Sequence, residues 1–179
     1  MTAILATGLV VATLLTGSII WSIFFPQYRL WPPKSSTLAN KITVWALTLT
    51  IFGSAIWLGV SDWNAFGWPA WIRWALGILL ILPGNYVVWR GVAEIGLQAT
   101  SGEATGLRTD GLYSYSRNPQ YVADMAILVG WFVLSASLWV APVVAAGILV
   151  LAVAPLSEEK WLEEVYGDEY RAYRANVRR

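Results

Sequence analysis

Long stretches without a charged residue constrain the fold of this chain more than any other feature. Residues 1–28 and 125–157 contain no charged side chain. A bilayer core about 30 Å thick is crossed by roughly 20 apolar residues in a helix, which satisfies its own backbone hydrogen bonds there. Hydrophobic residues make up 57% of the chain and charged residues 13%, whereas a soluble domain has roughly 25% charged residues. The sequence therefore predicts an integral membrane protein.

The uncharged runs predict an all-α, polytopic helix bundle with five transmembrane helices. The run at 125–157 is long for one helix, so we divide it into a C-terminal helical hairpin that turns near 135–142. Because no basic residue precedes the first apolar run, it is interpreted as a retained span and not as a secretory signal. The Pro83-Gly84-Asn85 stretch is expected to kink the third helix or to thin its packing. One membrane domain, 1–179, then contains spans at about 3–25, 42–61, 68–89, 119–137 and 140–157.

The positions of the basic residues predict the orientation, since basic loops stay on the cytoplasmic side. All of the twelve Lys and Arg residues except Arg73 fall on one side of the five-span topology. The N-terminus is therefore expected outside, with the loop 90–118 and the tail 158–179 in the cytoplasm. Arg73 is expected to snorkel toward the opposite face.

Two missing residue types limit the chemistry of the chain. It has no Cys and no His, which excludes disulfides, thiol nucleophiles, imidazole bases and Cys/His metal sites. A net charge of +1 gives no reason to expect a nucleic acid partner. We predict no metal site, and any catalysis must rely on carboxylates, Arg, Tyr, backbone dipoles and a bound cofactor.

The loop 90–118 ends in a string that is typical of a helix start. Pro119 suits the first helical turn, and Asn118 suits the N-cap. A helix N-terminus beside Arg117 is a natural place for a carboxylate, although the same string could simply anchor and start a helix.

The tail 158–179 carries apolar residues at helical spacing, which predicts an amphipathic helix. This helix would lie along the membrane or fold back over the loop 90–118. The apolar residues are Leu162, Tyr166, Tyr170, Tyr173 and Val177.

Three acidic residues are candidate functional groups. Glu158 and Glu159 lie where the fifth span leaves the membrane, and they could bind a ligand or mark the end of the helix. Asp124 lies about one turn inside the fourth span, where a functional and a capping role are both open. The hairpin should bring Arg117 and the Glu pair to the same membrane face. A pocket with these groups and nearby Tyr rings suits a zwitterionic, adenosine-bearing molecule.

The motifs of these two segments resemble those of the isoprenylcysteine carboxyl methyltransferase and phospholipid methyltransferase superfamily. Gly-x-Tyr-x-x-x-Arg-Asn-Pro-x-Tyr from Gly111 is followed by an apolar hairpin and by Glu-Glu-x-x-Leu-x-x-x-Tyr-Gly-x-x-Tyr-x-x-Tyr from Glu158. The resemblance covers about 94–179. It implies a small membrane enzyme that binds S-adenosylmethionine in a cytoplasmic pocket and methylates a lipophilic acceptor, such as an isoprenoid or a phospholipid amine, that arrives from the bilayer.

With S-adenosylmethionine as the cofactor that the resemblance implies, we predict roles for individual residues from their chemistry. Arg117 would pair with the carboxylate of the cofactor, and Glu159, helped by Glu158, would bind its ribose hydroxyls or ammonium. Asp124 is the candidate acid or base on the substrate side, so Arg117, Glu159 and Asp124 form the candidate catalytic set. The superfamily usually has His at the position of Asn118, which excludes a His-based step here. The implied cofactor-binding residues are Leu107, Tyr113, Arg117, Asn118, Pro119, Tyr121, Glu158 and Glu159.

Two other classes of function remain open from the sequence. Membrane sterol reductases, which use NADPH, carry a similar string, and Gln120 and Asp124 stand where their amide and acid would be. Those enzymes are usually longer and lack the Glu-Glu and Tyr-Gly-x-x-Tyr tail. A non-catalytic membrane subunit that keeps the fold is the second alternative.

Overall fold

The computed structural model describes residues 1–34 and 37–179, and these residues form five α-helices and no β-strand. Thr37 accepts a hydrogen bond from the backbone N–H of Asn40 and so caps the second helix. Pro119 is the first residue of the fourth helix, where its missing N–H has no cost. The helices are α1 (Thr2–Phe24), α2 (Leu38–Ser61), α3 (Ala70–Thr100), α4 (Pro119–Ser135) and α5 (Val140–Asn176).

Four of these helices, α1, α2, α3 and α5, are long and apolar enough to cross a membrane. Helix α4 is apolar but has only 17 residues, which corresponds to about 25 Å of helix. Large apolar side chains such as Leu14 and Leu79 are about two-thirds exposed on the bundle surface. Water disfavours so much outward apolar surface, whereas lipid accepts it. The prediction of an all-α, multi-pass membrane protein is therefore confirmed.

The core lies where α1, α2, α4 and α5 meet, and it is made of aliphatic side chains. Leu58 of α2, Leu128 of α4 and Val143 of α5 are almost completely buried there. This packing fixes the hairpin of α4 and α5 against the first two helices.

Helices α3 and α4 pack very closely because glycines on α3 leave room for α4. A Cβ atom at Gly77 would lie 2.7 Å from Cβ of Leu134, and one at Gly84 would lie 3.0 Å from the carbonyl oxygen of Ala123. Gly84 thus lets α4 approach α3 closely, and Pro83 keeps helical backbone angles inside α3. The residue with non-helical backbone angles inside α3 is Gly96, with a φ of 83°.

Arg73 is buried between helices, so the prediction that it snorkels to the membrane face is wrong. Only 3% of its surface is exposed. Its Nε donates a hydrogen bond to the carbonyl oxygen of Leu134 at 3.0 Å, and its guanidinium lies 4.6 Å from the centre of the Trp63 ring. The last carbonyl groups of a helix lack helical partners and carry partial negative charge. Arg73 therefore satisfies the C-terminal end of α4.

The opposite end of the bundle, here called the polar end, gathers ion pairs from several segments. Arg29 pairs with Glu164 at 3.2 Å, and Lys41 pairs with Glu103. Lys160 donates to the carbonyl oxygen of Ile23 at 2.8 Å. These contacts tie the loop after α1 and the start of α2 to the segments that follow the apolar parts of α3 and α5.

Helix α5 continues past its apolar part and then reverses. Gly167 has a φ of 53°, and it breaks the helix. Beyond it the chain folds back, and the backbone N–H of Arg117 donates to the carbonyl oxygen of Arg178 at 2.8 Å. Of the two arrangements predicted for the tail, the structure shows the one that folds over the loop. That loop is shorter than expected, because α3 extends to Thr100.

Candidate functional site

A pocket opens at the polar end between the last turns of α3, the loop before α4, the first turn of α4 and the extension of α5. Its wall is completed by Pro32 from the loop after α1. The lining residues are Pro32, Ile95, Ala99, Thr100, Gly102, Glu103, Gly106, Leu107, Arg108, Tyr113, Arg117, Asn118, Gln120, Tyr121, Glu158, Trp161, Leu162, Tyr166, Tyr170 and Tyr173.

Most of the site residues predicted from the sequence line this pocket. They are Leu107, Tyr113, Arg117, Asn118, Tyr121 and Glu158. Pro119 starts α4 and is buried behind the lining. Glu159 is also buried and does not line the pocket, and neither does Asp124.

Arg117 and Glu159 are in direct contact, although they are far apart in the sequence. The NH1 atom of Arg117 lies 3.1 Å from Oε1 of Glu159. Arg179 donates two hydrogen bonds to the same carboxylate, from Nε at 2.8 Å and from NH2 at 2.7 Å. Only 6% of Glu159 is exposed, and burying a carboxylate without such partners is strongly destabilising. Glu159 therefore holds Arg117 at the pocket wall and fastens the C-terminus to it.

Glu158 is the carboxylate that faces the pocket. Its Oε1 accepts hydrogen bonds from the Tyr121 hydroxyl and from Nε1 of Trp31, the latter at 2.8 Å. Burial raises the pKa of Glu158 to about 7, while the two hydrogen bonds oppose this shift because they favour the charged form. The side chain is thus poised to change its charge near neutral pH.

Tyrosine side chains join the extension of α5, on both sides of Gly167, to the loop before α4. The hydroxyl of Tyr173 donates to the carbonyl oxygen of Tyr113 at 2.6 Å, and the N–H of Gly106 donates to the hydroxyl of Tyr166 at 3.0 Å. The Tyr113 hydroxyl in turn donates to Oε1 of Gln120 at 3.3 Å. Burial raises the pKa of Tyr113 above its ordinary value and that of Tyr170 to about 12. These hydroxyls therefore remain neutral hydrogen-bonding groups.

Five buried donor atoms on pocket residues have no hydrogen-bond partner within residues 1–34 and 37–179. They are Nε and NH1 of Arg117, Nδ2 of Asn118, Nε2 of Gln120 and the hydroxyl of Tyr170, and of these NH1 of Arg117 has the ion pair with Glu159. Asn118 occupies the N-cap position of α4 as predicted, but its side chain makes no capping hydrogen bond. Unpartnered buried donors are rare in proteins, because each loses its contact with water. Their grouping indicates a ligand that offers acceptor atoms.

Several lining residues were not assigned to the site from the sequence, among them Gln120, Pro32 and four side chains of the tail. From the sequence, Gln120 has a role only in the reductase interpretation, although it lies inside the recognisable motif. The tail side chains Leu162, Tyr166, Tyr170 and Tyr173 were predicted to share a face, and this spacing was the signal that could have placed them here. Nothing in the sequence indicates Pro32, which lines the pocket, or Trp31, which donates a hydrogen bond to Glu158.

Comparison with known proteins gives one match. A family model described as phospholipid methyltransferase matches residues 72–169, which is more than half of the chain. No curated protein and no solved structure matches the chain. The matched residues include the loop before α4, α4 itself and the Glu pair of α5.

Proposed function

Since the chain belongs to the phospholipid methyltransferase family, it is an S-adenosylmethionine-dependent membrane methyltransferase, and we propose that the pocket at the polar end is its active site. The family transfers methyl groups to phospholipid amines, and we propose such an amine as the acceptor here. The membership decides against the NADPH-dependent reductase and against a non-catalytic subunit. The observation that carries the placement is the contact between the Arg117 motif and the Glu158-Glu159 pair at one pocket.

The side chains in the pocket suit the charges and polar groups of the cofactor. When bound, S-adenosylmethionine supplies a methyl group on a positively charged sulfur, together with a carboxylate, an ammonium and a nucleoside. Arg117 would bind the carboxylate, since its Nε is buried without a partner. Asn118 and Gln120 would donate to acceptor atoms of the nucleoside, and the tyrosine rings would cover its faces.

The roles of the two glutamates differ from those first expected. Glu159 is occupied by two arginines, so its part is to hold Arg117 in place. Glu158 presents its carboxylate to the pocket and would bind the cofactor's ammonium or ribose hydroxyls. Asp124 receives no role, because its side chain lies outside the pocket lining.

For methyl transfer, the protein mainly has to position the reacting groups and to exclude water from them. A chain without His, Cys or a metal site can do this through proximity and through fixed charges that act in a partly closed pocket. Here the extension of α5, which includes the reversal at Gly167, covers one side of the pocket with Tyr166, Tyr170 and Tyr173. The acceptor would reach the pocket from the membrane. The proposed topology has five spans, the N-terminus outside and the pocket on the cytoplasmic side. Eleven of the twelve basic residues, all except Arg73, are consistent with that side.

The test is isothermal titration of the purified protein in detergent with S-adenosylmethionine, beside methylation of phosphatidylethanolamine vesicles. Replacing Arg117 by Met or Glu158 by Gln should weaken cofactor binding by about 10-fold or more, because each loses a hydrogen bond or ion pair to a charged group. Arg174→Met and Glu164→Gln are matched controls, since both residues form ion pairs at the polar end outside the pocket lining.

Parental affinity in both pocket variants would refute this assignment of the site. Binding of NADPH in place of S-adenosylmethionine would refute the activity itself.

A further inference from the structure

The loop at 29–34, here called the Trp31 loop, lies outside the residues matched by the family model and yet contacts the pocket. We propose that Trp31 is a positioning residue of the methyltransferase: its indole N–H fixes the carboxylate of Glu158 toward the cofactor. This inference rests on the proposed function, because it concerns the same pocket. It adds that the N-terminal part of the chain completes a site whose motifs all lie in the C-terminal part.

The backbone of Trp31 is held from two sides. On the side of α1, the hydroxyl of Ser22 accepts hydrogen bonds from the N–H groups of Leu30 and Trp31, at 2.8 and 3.0 Å. On the side of α5, the hydroxyl of Ser157 donates to the carbonyl oxygen of Trp31 at 2.5 Å. Ser22 and Ser157 are each only 3% exposed, so water does not compete with these contacts. The indole is therefore attached to a fixed frame.

The Trp31 loop also packs against the pocket wall formed after α3. A Cβ atom at Gly102 would lie 2.9 Å from Cδ of Pro33 and 3.1 Å from Cβ of Pro32. Gly102 has a φ of 87°, which favours glycine, and the missing side chain lets the two segments touch. Pro32 lines the pocket directly beside this contact. The Trp31 loop is thus part of the pocket wall, and its contact with Gly102 holds it in position.

The contact with Glu158 has a direct electrostatic consequence. A hydrogen bond donated to a carboxylate favours its charged form. Trp31 and Tyr121 supply such bonds, whereas burial and the neighbouring Glu159 favour the protonated form. Tyr113 is the other titratable group that Glu158 affects, and burial keeps its hydroxyl neutral. Without the indole N–H, Glu158 should hold its proton to a higher pH and lose its fixed orientation.

The experiment compares Trp31→Phe with Trp21→Phe. The phenyl ring keeps much of the packing but has no N–H. Trp21 is a matched control, because its Nε1 also donates a hydrogen bond at the polar end, to the carbonyl oxygen of Tyr28 at 3.2 Å, but it does not line the pocket. The readout is the affinity for S-adenosylmethionine, measured by titration calorimetry between pH 5.5 and 8.5.

We expect Trp31→Phe to weaken binding on the order of 10-fold at pH 7. The pH at which affinity reaches half of its maximum should move upward by roughly one unit. In a Glu158→Gln background, Trp31→Phe should cause no further loss, because the two residues act through one contact. Trp21→Phe should keep the parental affinity and midpoint.

The inference is overturned if Trp31→Phe keeps the parental midpoint, or if its effect persists in the Glu158→Gln background. If Trp31→Phe does not fold, Ser157→Ala replaces it, since it frees the carbonyl of Trp31, and an unchanged midpoint would again overturn the inference. Absence of cofactor binding in the parent would instead refute the proposed function.

Discussion

At the scale of single residues, the neighbouring Glu158 and Glu159 have different contacts and therefore different roles in the pocket. Consecutive residues of a helix point about 100° apart, so only one of them can face the pocket. Glu158 faces it and accepts hydrogen bonds from Trp31 and Tyr121, whereas Glu159 turns toward Arg117 and Arg179. One carboxylate therefore meets the ligand, and the other stabilises the arginine beside it.

The pKa of Glu158, raised to about 7, predicts two opposite effects of pH. Because the pKa in the folded state is above the usual 4.5, the folded chain binds a proton that the unfolded chain has lost. The ligand-free protein should thus lose up to about 3 kcal/mol as pH rises from about 4.5 through 7. Cofactor affinity should rise over the same range, since the carboxylate becomes charged.

Thermal unfolding and calorimetry between pH 5 and 8 measure both effects. Glu158→Gln should remove the pH dependence of both stability and affinity. Glu164→Gln, at an exposed site, should retain it. Identical pH profiles for the parent and Glu158→Gln would contradict this assignment.

Because Arg73 is buried far from the pocket, we expect its replacement to lower stability without changing cofactor binding. Replacement by Met keeps an apolar stem but leaves the carbonyl oxygen of Leu134 without its donor. The free energy of unfolding should fall by about 1–3 kcal/mol. Arg174→Met removes a partly exposed ion pair and should cost less than about 1 kcal/mol.

Chemical denaturation in detergent gives these free energies. Since Arg73 lies at the end of the bundle opposite the pocket, the calorimetric affinity of the folded Arg73→Met variant should equal that of the parent. A weaker affinity would show that the two ends are coupled.

At the scale of elements, the extension of α5 is the part that closes the pocket. Gly167 has a φ of 53° and a ψ of −123°, a conformation that glycine adopts readily and that costs an Ala residue roughly 1–3 kcal/mol. Gly167→Ala should therefore weaken the reversal that brings Tyr170 and Tyr173 to the loop before α4. We expect about 10-fold weaker binding of S-adenosylmethionine, measured by calorimetry.

Gly53→Ala is the control for this substitution. Gly53 lies in α2 with no atom within 4 Å of an added Cβ, so the extra methyl group should leave cofactor binding unchanged. If both variants bind equally well, the reversal at Gly167 is not needed for the pocket.

Hydropathy predicted the helical elements, but contacts between them decided the details. Apolar runs locate the helices because the bilayer requires them. Gly77, Gly84 and Gly91 recur every seven residues, so their spacing places them on one side of α3. The sequence does not show that this side packs against α4, because this depends on which helix lies next to it. Arg73 illustrates the same limit: a guanidinium can reach for water or for an unpaired carbonyl, and only the neighbouring helix end decides between them.

The site was predictable as far as it rested on motifs. Arg117 and Glu158 were found because the spacing of their motifs is specific. The roles of Glu158 and Glu159 could not be separated, because the rotation of α5 about its axis is set by packing and not by the order of the two residues. Trp31 could not be found at all, since its contact joins residues 127 positions apart without a shared motif.

At the scale of the whole molecule, charge is divided between the two ends of the bundle. The polar end carries the pocket and the ion pairs of Arg29, Lys41 and Arg117, while Arg73 is buried near the other end. Basic segments stay in the cytoplasm. We therefore expect the polar end, and with it the C-terminus, on the cytoplasmic side.

This orientation can be measured directly because the chain has no Cys. Single Cys residues at the exposed positions Ala65 and Ala175 report the two ends of the bundle. In intact cells, a maleimide that does not cross membranes should label Ala65→Cys, whereas Ala175→Cys should react only after the cells are permeabilised. The parent is the unlabelled control. Labelling of Ala175→Cys in intact cells would reverse the orientation, and the cofactor, which is made in the cytoplasm, would then have no access to the pocket proposed here.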